Sequence, residues 1–217
     1  MNRGIVLLSG GLDSLVSLGI SKDKYNIELA ITFDYGQKSA FKEIRASEKI
    51  CKYYSINHKI INLEWLKDVT HTALVSEKNL PETIDAMSAK NVWVPNRNGL
   101  FLNIAGAFAD GEDYKYVIIG ANKEEAETFS DNTKEFIDSI NNEFEYSTAV
   151  HPKVIAPLIN CNKNDIVKIA LEQEIPLNLV QSCYDLSEKH CGKCESCTRL
   201  KNALKANNAE DYIKELF

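Results

Sequence analysis

Apolar residues along this chain gather in short runs, separated by longer segments where they recur at three- and four-residue spacing. Runs rich in β-branched residues cover Ile5–Leu8, Leu29–Phe33, Ile60–Leu63, Val117–Ile119 and Val154–Ile159. Runs this short, bounded by Gly, Asp, Asn or Pro, predict buried strands. Helical spacing fills Ser39–Tyr54, Leu100–Ala109, Thr133–Phe144 and Asn164–Glu172, and Leu15–Leu18 opens a helix directly after the first strand. Asn162 with Asp165 three positions on predicts the cap of the helix that runs through Ile166. Strand alternating with helix predicts an α/β fold, a Rossmann-like parallel sheet with helices on both faces. No repeat, low-complexity tract or flexible linker interrupts this order. The character changes near Pro176 and a cluster of cysteines, which predicts an α/β domain over 1–180 and a helical C-terminal segment over 181–217.

In such a sheet, ligands collect beyond the carboxyl ends of the strands. Three strand ends lead into polar or glycine-bearing turns: Ser9-Gly10-Gly11-Leu12-Asp13-Ser14, Asp34-Tyr35-Gly36-Gln37 and Gly120-Ala121-Asn122-Lys123. The first is the most informative. Its glycines allow a tight turn and close approach to a ligand. The free N–H groups of the helix that follows point outward at the positive end of the dipole, where a phosphate binds. Asp13 and Ser14 are residue types that favour helix starts. The stretch is neither G-x-x-x-x-G-K-[ST] nor G-x-G-x-x-G nor G-x-S-x-G, which excludes a Walker loop, a dinucleotide fingerprint and a hydrolase elbow.

The 217 residues suit one domain with an appendage. At that length roughly 70% of the unfolded surface can be buried, so a full core is available. An apolar share of 44% and a charged share of 26% are those of a globular domain. No apolar run reaches membrane-spanning length, and the chain starts on a strand without a signal peptide, so a cytoplasmic location is expected. The formal charge of −6 weighs against a nucleic-acid surface, which needs basic side chains to neutralise phosphates. Lys193, Arg199, Lys201 and Lys205 are expected to form a solvated helix face rather than a basic patch.

Of six cysteines, Cys51 and Cys161 stand alone and are expected as buried thiols. Cys183, Cys191, Cys194 and Cys197 follow the spacing C-x7-C-x2-C-x2-C. Short loops of this kind converge thiolates on one tetrahedral ion, and four ligands make a closed structural site. An iron–sulfur site stays open as the competitor, although the C-x3-C-P continuation of the ferredoxin run is missing. His190 adjoins Cys191 and is expected to be solvated.

The loop Ser9–Ser14 resembles the SGGxDS loop of the PP-loop ATP pyrophosphatase superfamily. Together with Asp34-Tyr35-Gly36-Gln37, Val94-Pro95-Asn96-Arg97-Asn98, Phe101-Leu102, Pro157-Leu158 with Lys163, and Ser182-Cys183-Tyr184 with Cys191-Gly192-x-Cys194-x-x-Cys197, it makes the chain similar to the 7-cyano-7-deazaguanine synthase family over nearly its whole length. The chain departs from the family's usual pattern at Asn96, where glycine is usual, and at Lys38-Ser39, where a basic residue then His is usual. It departs again at Glu125–Asn132, which stands for Asp-Tyr-Ser-Gly-Tyr-Pro-Asp-Cys; Asp131 matches the later aspartate of that stretch.

The resemblance implies an ATP-dependent ligase that joins 7-carboxy-7-deazaguanine and ammonia, through adenylated carboxylate and amide, to give the nitrile. It implies one structural Zn²⁺ per chain on Cys183, Cys191, Cys194 and Cys197, ATP with Mg²⁺ as co-substrate, and a homodimer. On this reading Leu8, Ser9, Gly10, Gly11, Leu12, Asp13 and Ser14 bind ATP. Leaving pyrophosphate is held by N–H groups of Gly10, Gly11 and Leu12 and by the hydroxyls of Ser9 and Ser14. Asp13 holds Mg²⁺ or caps the helix. Ser9, Asp13, Ser14 and Arg97 are the catalytic set, with Arg97 offering a bidentate contact to carboxylate or phosphate. Tyr35, Gln37, Arg97, Asn98, Asp131 and Lys163 are the candidates for substrate contact. Tyr35 or Phe101 would stack on the base, Glu124, Glu125 or Glu127 could join Asp131 at its N–H edge, and Lys123 is a weaker phosphate candidate. Three other readings stay open: a tRNA-thiolating PP-loop enzyme with a metal or iron–sulfur site, a non-catalytic nucleotide-binding protein with a zinc tail, and an amide ligase acting on a different heterocyclic acid, which the altered Glu125–Asn132 stretch motivates.

Overall fold

A computed structural model of the protein describes residues 3–76, 92–184 and 189–217. Five strands, β1 (Gly4–Leu7), β2 (Ile27–Asp34), β3 (Asn57–Asn62), β4 (Tyr116–Ile118) and β5 (Lys153–Ile155), form one parallel sheet in the order β3-β2-β1-β4-β5. The chain builds outward from β1 to β3, then crosses back to lay β4 on the other side of β1. That reversal opens a crevice at the carboxyl ends of β1 and β4, where ligands bind in sheets of this class.

Alternation along β1 divides the core. Ile5 and Leu7 face a cluster with Leu29, Ile31 and Val117, covered by α3 (Arg97–Glu112) and α5 (Lys134–Ser147). Val6 and Leu8 face the other cluster, covered by α1 (Leu12–Ser21), α2 (Ala40–Tyr54) and α6 (Lys163–Glu172). Burial on both faces explains why β1 is a continuous apolar run, with all four residues buried. β3 is an edge strand and half exposed, which is why only part of it is marked by apolar residues. β5 stops at Ile155, short of the apolar run through Ile159, because Pro157 has no N–H for a ladder bond.

The helices start where their caps stand. Asn162 accepts from Asp165 N–H at 3.0 Å while Asp165 accepts from Asn162 N–H at 3.0 Å, a complete capping box for α6. Thr133 caps α5 by accepting from Phe136 N–H. A short helix α4 (Lys123–Ala126) follows β4, and α7 (Glu195–Ala206) and α8 (Glu210–Leu216) close the chain. Leu200, Ala203, Leu204 and Leu216 sit in the same cluster as Leu12 and Leu15, so the cysteine-bearing segment rests on the main core. Cys51 is buried in that cluster, and burial pushes its thiol up to about 12. Among the described residues no helix is long and apolar enough to cross a membrane.

Candidate active site and metal centre

The crevice between β1 and β4 is a cavity of about 310 Å³, lined by the phosphate-type loop, the ends of β2 and β4, the start of α3, and the Gln181–Tyr184 segment. Gly10 has φ +78°, and a Cβ there would stand 2.8 Å from Ala46 Cβ on α2. Only glycine lets the loop turn so close to that helix. Across the crevice, a Cβ on Gly120 would lie 2.9 Å from the Ser14 nitrogen, so the turn after β4 packs directly on the first turn of α1.

Ser14 braces the loop from within. Its Oγ accepts from Ser9 N–H at 3.2 Å and donates to Gly11 O at 3.1 Å. With that proton spent, Ser9 O–H is the donor in the 3.2 Å contact between the two hydroxyls. The expected role of Ser14 as a hydroxyl donor to phosphate is therefore replaced by one as a strut. Leu12, Asp13 and Ser14 open α1 and their N–H groups have no acceptor within the helix. That of Leu12 goes to Ser182 Oγ at 3.4 Å, a long and exchangeable bond.

Asp13 does not cap α1; Gly11 occupies the cap position without a side-chain bond. Instead Asp13 Oδ2 accepts from Lys163 Nζ at 2.5 Å, and Lys163 also reaches Glu125 Oε1 at 3.3 Å. The Lys163 and Asp13 side chains are 14% and 20% exposed. Burial pushes Asp13 up against the pull of Lys163. Burial acts on Glu125 in the same sense, but Lys163, Asn122 and Arg97 together outweigh it and hold that carboxyl below its usual range. Burial opposes charge on Lys163 too, yet its two carboxylates hold it protonated, well above an ordinary lysine. Asp13 Oδ1 is buried and has no hydrogen-bond partner among the described residues. An orphaned carboxylate oxygen beside a second carboxylate fits a divalent cation that carries a polyphosphate.

Arg97, the first residue of α3, is held at the cavity wall by its backbone. Asn96 precedes it with φ 51°, a left-handed conformation that asparagine tolerates better than most residues. This accounts for asparagine at a position where the resemblance led to glycine. Among the described residues no carboxylate comes within 4 Å of the Arg97 guanidinium; Asn98 Oδ1 accepts from its Nε at 3.4 Å and the Tyr35 ring centroid is 6.0 Å away. Asp131 faces Arg97, and burial pushes its carboxyl up. Among the described residues, six carboxylates line the cavity (Asp13, Glu43, Glu124, Glu125, Asp131, Glu195) against three cations (Arg97, Lys163, Arg199). Burial also pushes the carboxyls of Glu43 and Glu195 up, against the pull of Ser39 and Gln37 on the first and of Arg199 on the second. A bare polyphosphate is repelled by such a field, and its metal complex is not.

The remaining candidates divide. Leu8, Tyr35, Asn98, Asp131 and Lys163 line the cavity, as do Ser9, Gly11 and Leu12. Asn98 spends its amide on Asp131 O at 3.2 Å, fixing the short 3₁₀ turn Ser130–Asn132. Gln37 does not line the cavity: it is buried, accepts from Tyr35 N–H at 2.9 Å, and donates to Phe33 O and Glu43 Oε2. It holds the turn after β2 rather than a ligand. Phe101 is stacked on Phe33 with centroids 3.9 Å apart, so one of its faces is already covered. Glu127 and Lys123 are exposed and outside the cavity lining. Arg199 turns inward from the expected solvated face to Glu195 and to Glu124 Oε2, the latter at 3.3 Å.

Sequence reasoning missed Trp93 and Phe129, near-parallel rings 6.0 Å apart on the cavity wall, and Ser182 and Tyr184 beside the first metal-type cysteine. No periodic signal marks any of these, since each sits on irregular backbone.

Cys183, Cys191, Cys194 and Cys197 bring their Sγ atoms within 4.8 Å of one another, with Cys191 and Cys197 at 3.9 Å. A tetrahedral ion with Zn–S bonds of about 2.3 Å sets its sulfurs about 3.8 Å apart. The set is sized for a single ion; an iron–sulfur cluster interposes its own atoms and spreads its thiolates. Backbone N–H groups of Cys191, Lys193 and Cys194 point at Cys183 and Cys191 sulfurs, at 3.2 to 3.4 Å. Cys194 caps α7, so the helix dipole also favours thiolate there. Hydrogen bonding to Cys183 pushes the Cys194 thiol up to about 11, a proton that an incoming cation has to displace. His190 is buried, not solvated, with its ring between Ser182 and Leu216.

The profile described as queuosine biosynthesis protein QueC matches residues 3–208. The chain belongs to the QueC family. Among its relatives is 7-cyano-7-deazaguanine synthase of Methanosarcina mazei, 46% identical over 98% of both chains. Another is the protein of that name from Carboxydothermus hydrogenoformans, 47% identical over 95% of this chain and 100% of the other. A solved 4-thiouridine synthetase–RNA complex with bound ATP shares the fold at a TM-score of 0.52 and 19% identity, over 100% of this chain and 53% of that one. In this QueC-family chain the loop, the arginine of α3, the lysine of α6 and the cysteine segment thus meet in one crevice.

Proposed function

We propose that the chain is a synthase of 7-cyano-7-deazaguanine, a carbon–nitrogen ligase that uses ATP and ammonia on 7-carboxy-7-deazaguanine. The convergence of the Ser9–Ser14 loop, Arg97 and Lys163 on one cavity carries the reading. A carboxylate is a poor electrophile, because its leaving group would be oxide. Its attack on the α-phosphorus of ATP expels pyrophosphate and gives an acyl adenylate. Ammonia displaces AMP to give the amide and a proton. Attack of the amide oxygen on the α-phosphorus of a second ATP expels a second pyrophosphate, and loss of AMP and both amide protons yields the nitrile.

In this scheme the loop N–H groups stabilise the charge that develops on departing pyrophosphate, with little reorganisation. Arg97, without a carboxylate in contact, receives the acid or the α-phosphate. Lys163 balances Asp13 and Glu125 while the site is open. Bound at Asp13, Mg²⁺ would neutralise the polyphosphate. The base has a candidate stacking wall in Trp93 and Phe129, and Asp131 a position for its N–H edge.

The reading extends to a structural zinc at the four cysteines, to a cytoplasmic homodimer acting on small molecules, and to 181–217 as a metal-bearing extension of the 1–180 domain. An acidic cavity and the inward turn of Arg199 favour small-molecule chemistry over a grip on tRNA.

The test is mass-spectrometric analysis of products from ATP, Mg²⁺, ammonium and 7-carboxy-7-deazaguanine. Nitrile together with AMP and pyrophosphate is expected from the native chain, and none from Asp13→Ala at an unchanged circular dichroism spectrum. Absence of acid-dependent pyrophosphate release from the native chain overturns the reading.

A further inference from the structure

Ser182 stands at the junction of the two features the sequence separates, the phosphate-type loop and the cysteine segment. Gln181 N–H donates to Gly10 O at 2.8 Å, and Ser182 Oγ accepts from Leu12 N–H at 3.4 Å. Ser182 N–H donates to His190 Nε2 at 3.1 Å. His190 Nδ1 lies 3.2 Å from Leu216 O, which can only accept. These two partners determine the tautomer: Nδ1 carries the proton and Nε2 presents its lone pair to Ser182. The ring is 6% exposed and packs against Phe217 with centroids 5.1 Å apart, so it cannot swing away.

A hydroxyl that accepts from Leu12 N–H still has its own proton to give. Among the described residues no acceptor takes the Ser182 proton, and the residue lines the cavity. We propose that Ser182 Oγ donates to a phosphate oxygen of the nucleotide at the loop, and that His190 is the positioning residue that holds it there. The inference rests on the functional reading above, in that the anion is ATP or its pyrophosphate. It gives the cysteine segment a second task. Cys183 and Cys191 adjoin the serine and the histidine, so the ion that joins the cysteines also holds the donor against the loop.

Three substitutions read this out, each with ion content and Tm measured alongside. Ser182→Ala is expected to lower kcat/KM for ATP about tenfold, the value of one hydrogen bond to a charged oxygen, at native Tm and ion content. His190→Leu is expected to lower it in the same sense, and the double variant to be no worse than Ser182→Ala alone, because both act through one hydroxyl. His190→Gln, which keeps an acceptor at that reach, is expected to recover part of the loss. Native kcat/KM in Ser182→Ala overturns the proposal, and so do effects of the two residues that multiply. If His190→Leu fails to fold, Ser182→Ala and His190→Gln decide the matter. Calorimetric titration of pyrophosphate in the presence of Mg²⁺ separates this from the functional reading. Weaker binding to Ser182→Ala than to the native chain supports the contact even if no nitrile forms. Equal binding overturns it whatever the product.

Discussion

Lys163 Nζ lies 2.5 Å from Asp13 Oδ2, joining the first turns of two helices that are 150 positions apart in the chain. Glu125 Oε1 shares the same ammonium at 3.3 Å. One cation thus compensates two carboxylates at the mouth of the loop.

Lys163→Met leaves Asp13 and Glu125 facing each other. A loss of about 2 kcal/mol is expected, less than for a fully buried pair because both side chains keep some solvent. Because the folded-state pKa of Lys163 is raised, its contribution is complete below the ordinary lysine value of about 10.4 and disappears as pH climbs through the higher native value. Urea midpoints taken from pH 8 to 11 should therefore stay a constant distance apart up to about pH 10 and begin to draw together only above it. Equal midpoints for the native chain and the variant at pH 8 would remove Lys163 from the balance.

Arg97→Lys keeps the charge and discards the planar fork. An increase of about tenfold in KM for the acid is expected, with a smaller change for ATP if the guanidinium meets the carboxylate. The opposite split, ATP affected and the acid not, would assign Arg97 to the phosphates. Steady-state kinetics with each substrate varied in turn distinguishes the two.

Gly120→Ala sets a methyl group 2.9 Å from the Ser14 nitrogen, with backbone rather than a flexible side chain in its way. The first turn of α1 has to move. A loss of about 1–3 kcal/mol, as for an overpacked core, and weaker nucleotide binding are expected together. Calorimetry with ATP and a thermal melt check both, and native values in each would show that the crevice is looser than its packing indicates.

Cys194→Ser removes one of four ligands. The metal content should drop below one equivalent and Tm fall by roughly 10 °C, as expected for losing about 3–4 kcal/mol of linked binding from a chain of this size. Plasma emission spectrometry identifies the ion at the same time: zinc supports the closed structural site, and iron with visible absorption would return the cluster alternative.

The legible part of this molecule is local. Apolar runs marked all five strands, and their bounds moved by up to four residues where an edge or a proline intervened, as at β3 and β5. Capping at Asn162 and Asp165 was readable because both partners lie three residues apart. The loop Ser9–Ser14 and the cysteine spacing were readable for the same reason: each is a turn whose chemistry is complete within a few residues.

Illegible were the roles that depend on what comes near from elsewhere. Gln37 looked like a ligand contact and proved a brace, because the turn after β2 points its amide back at Phe33 O and Tyr35 N–H. Arg199 looked like a solvated cation, but α7 packs beside α6 and brings its guanidinium to Glu124. Ser182 was legible only as part of the motif around Cys183, and His190 only as a neighbour of Cys191; their contact with each other was not.

The amino-acid order alone determined the strand–helix alternation, the glycine bend Ser9–Ser14 and the sulfur set, since periodicity and turn chemistry act between near neighbours. Tertiary structure decided the strand order β3-β2-β1-β4-β5, and with it which helix starts meet at the crevice. That choice is made by packing two apolar faces of one sheet, a long-range balance to which no single segment holds the key.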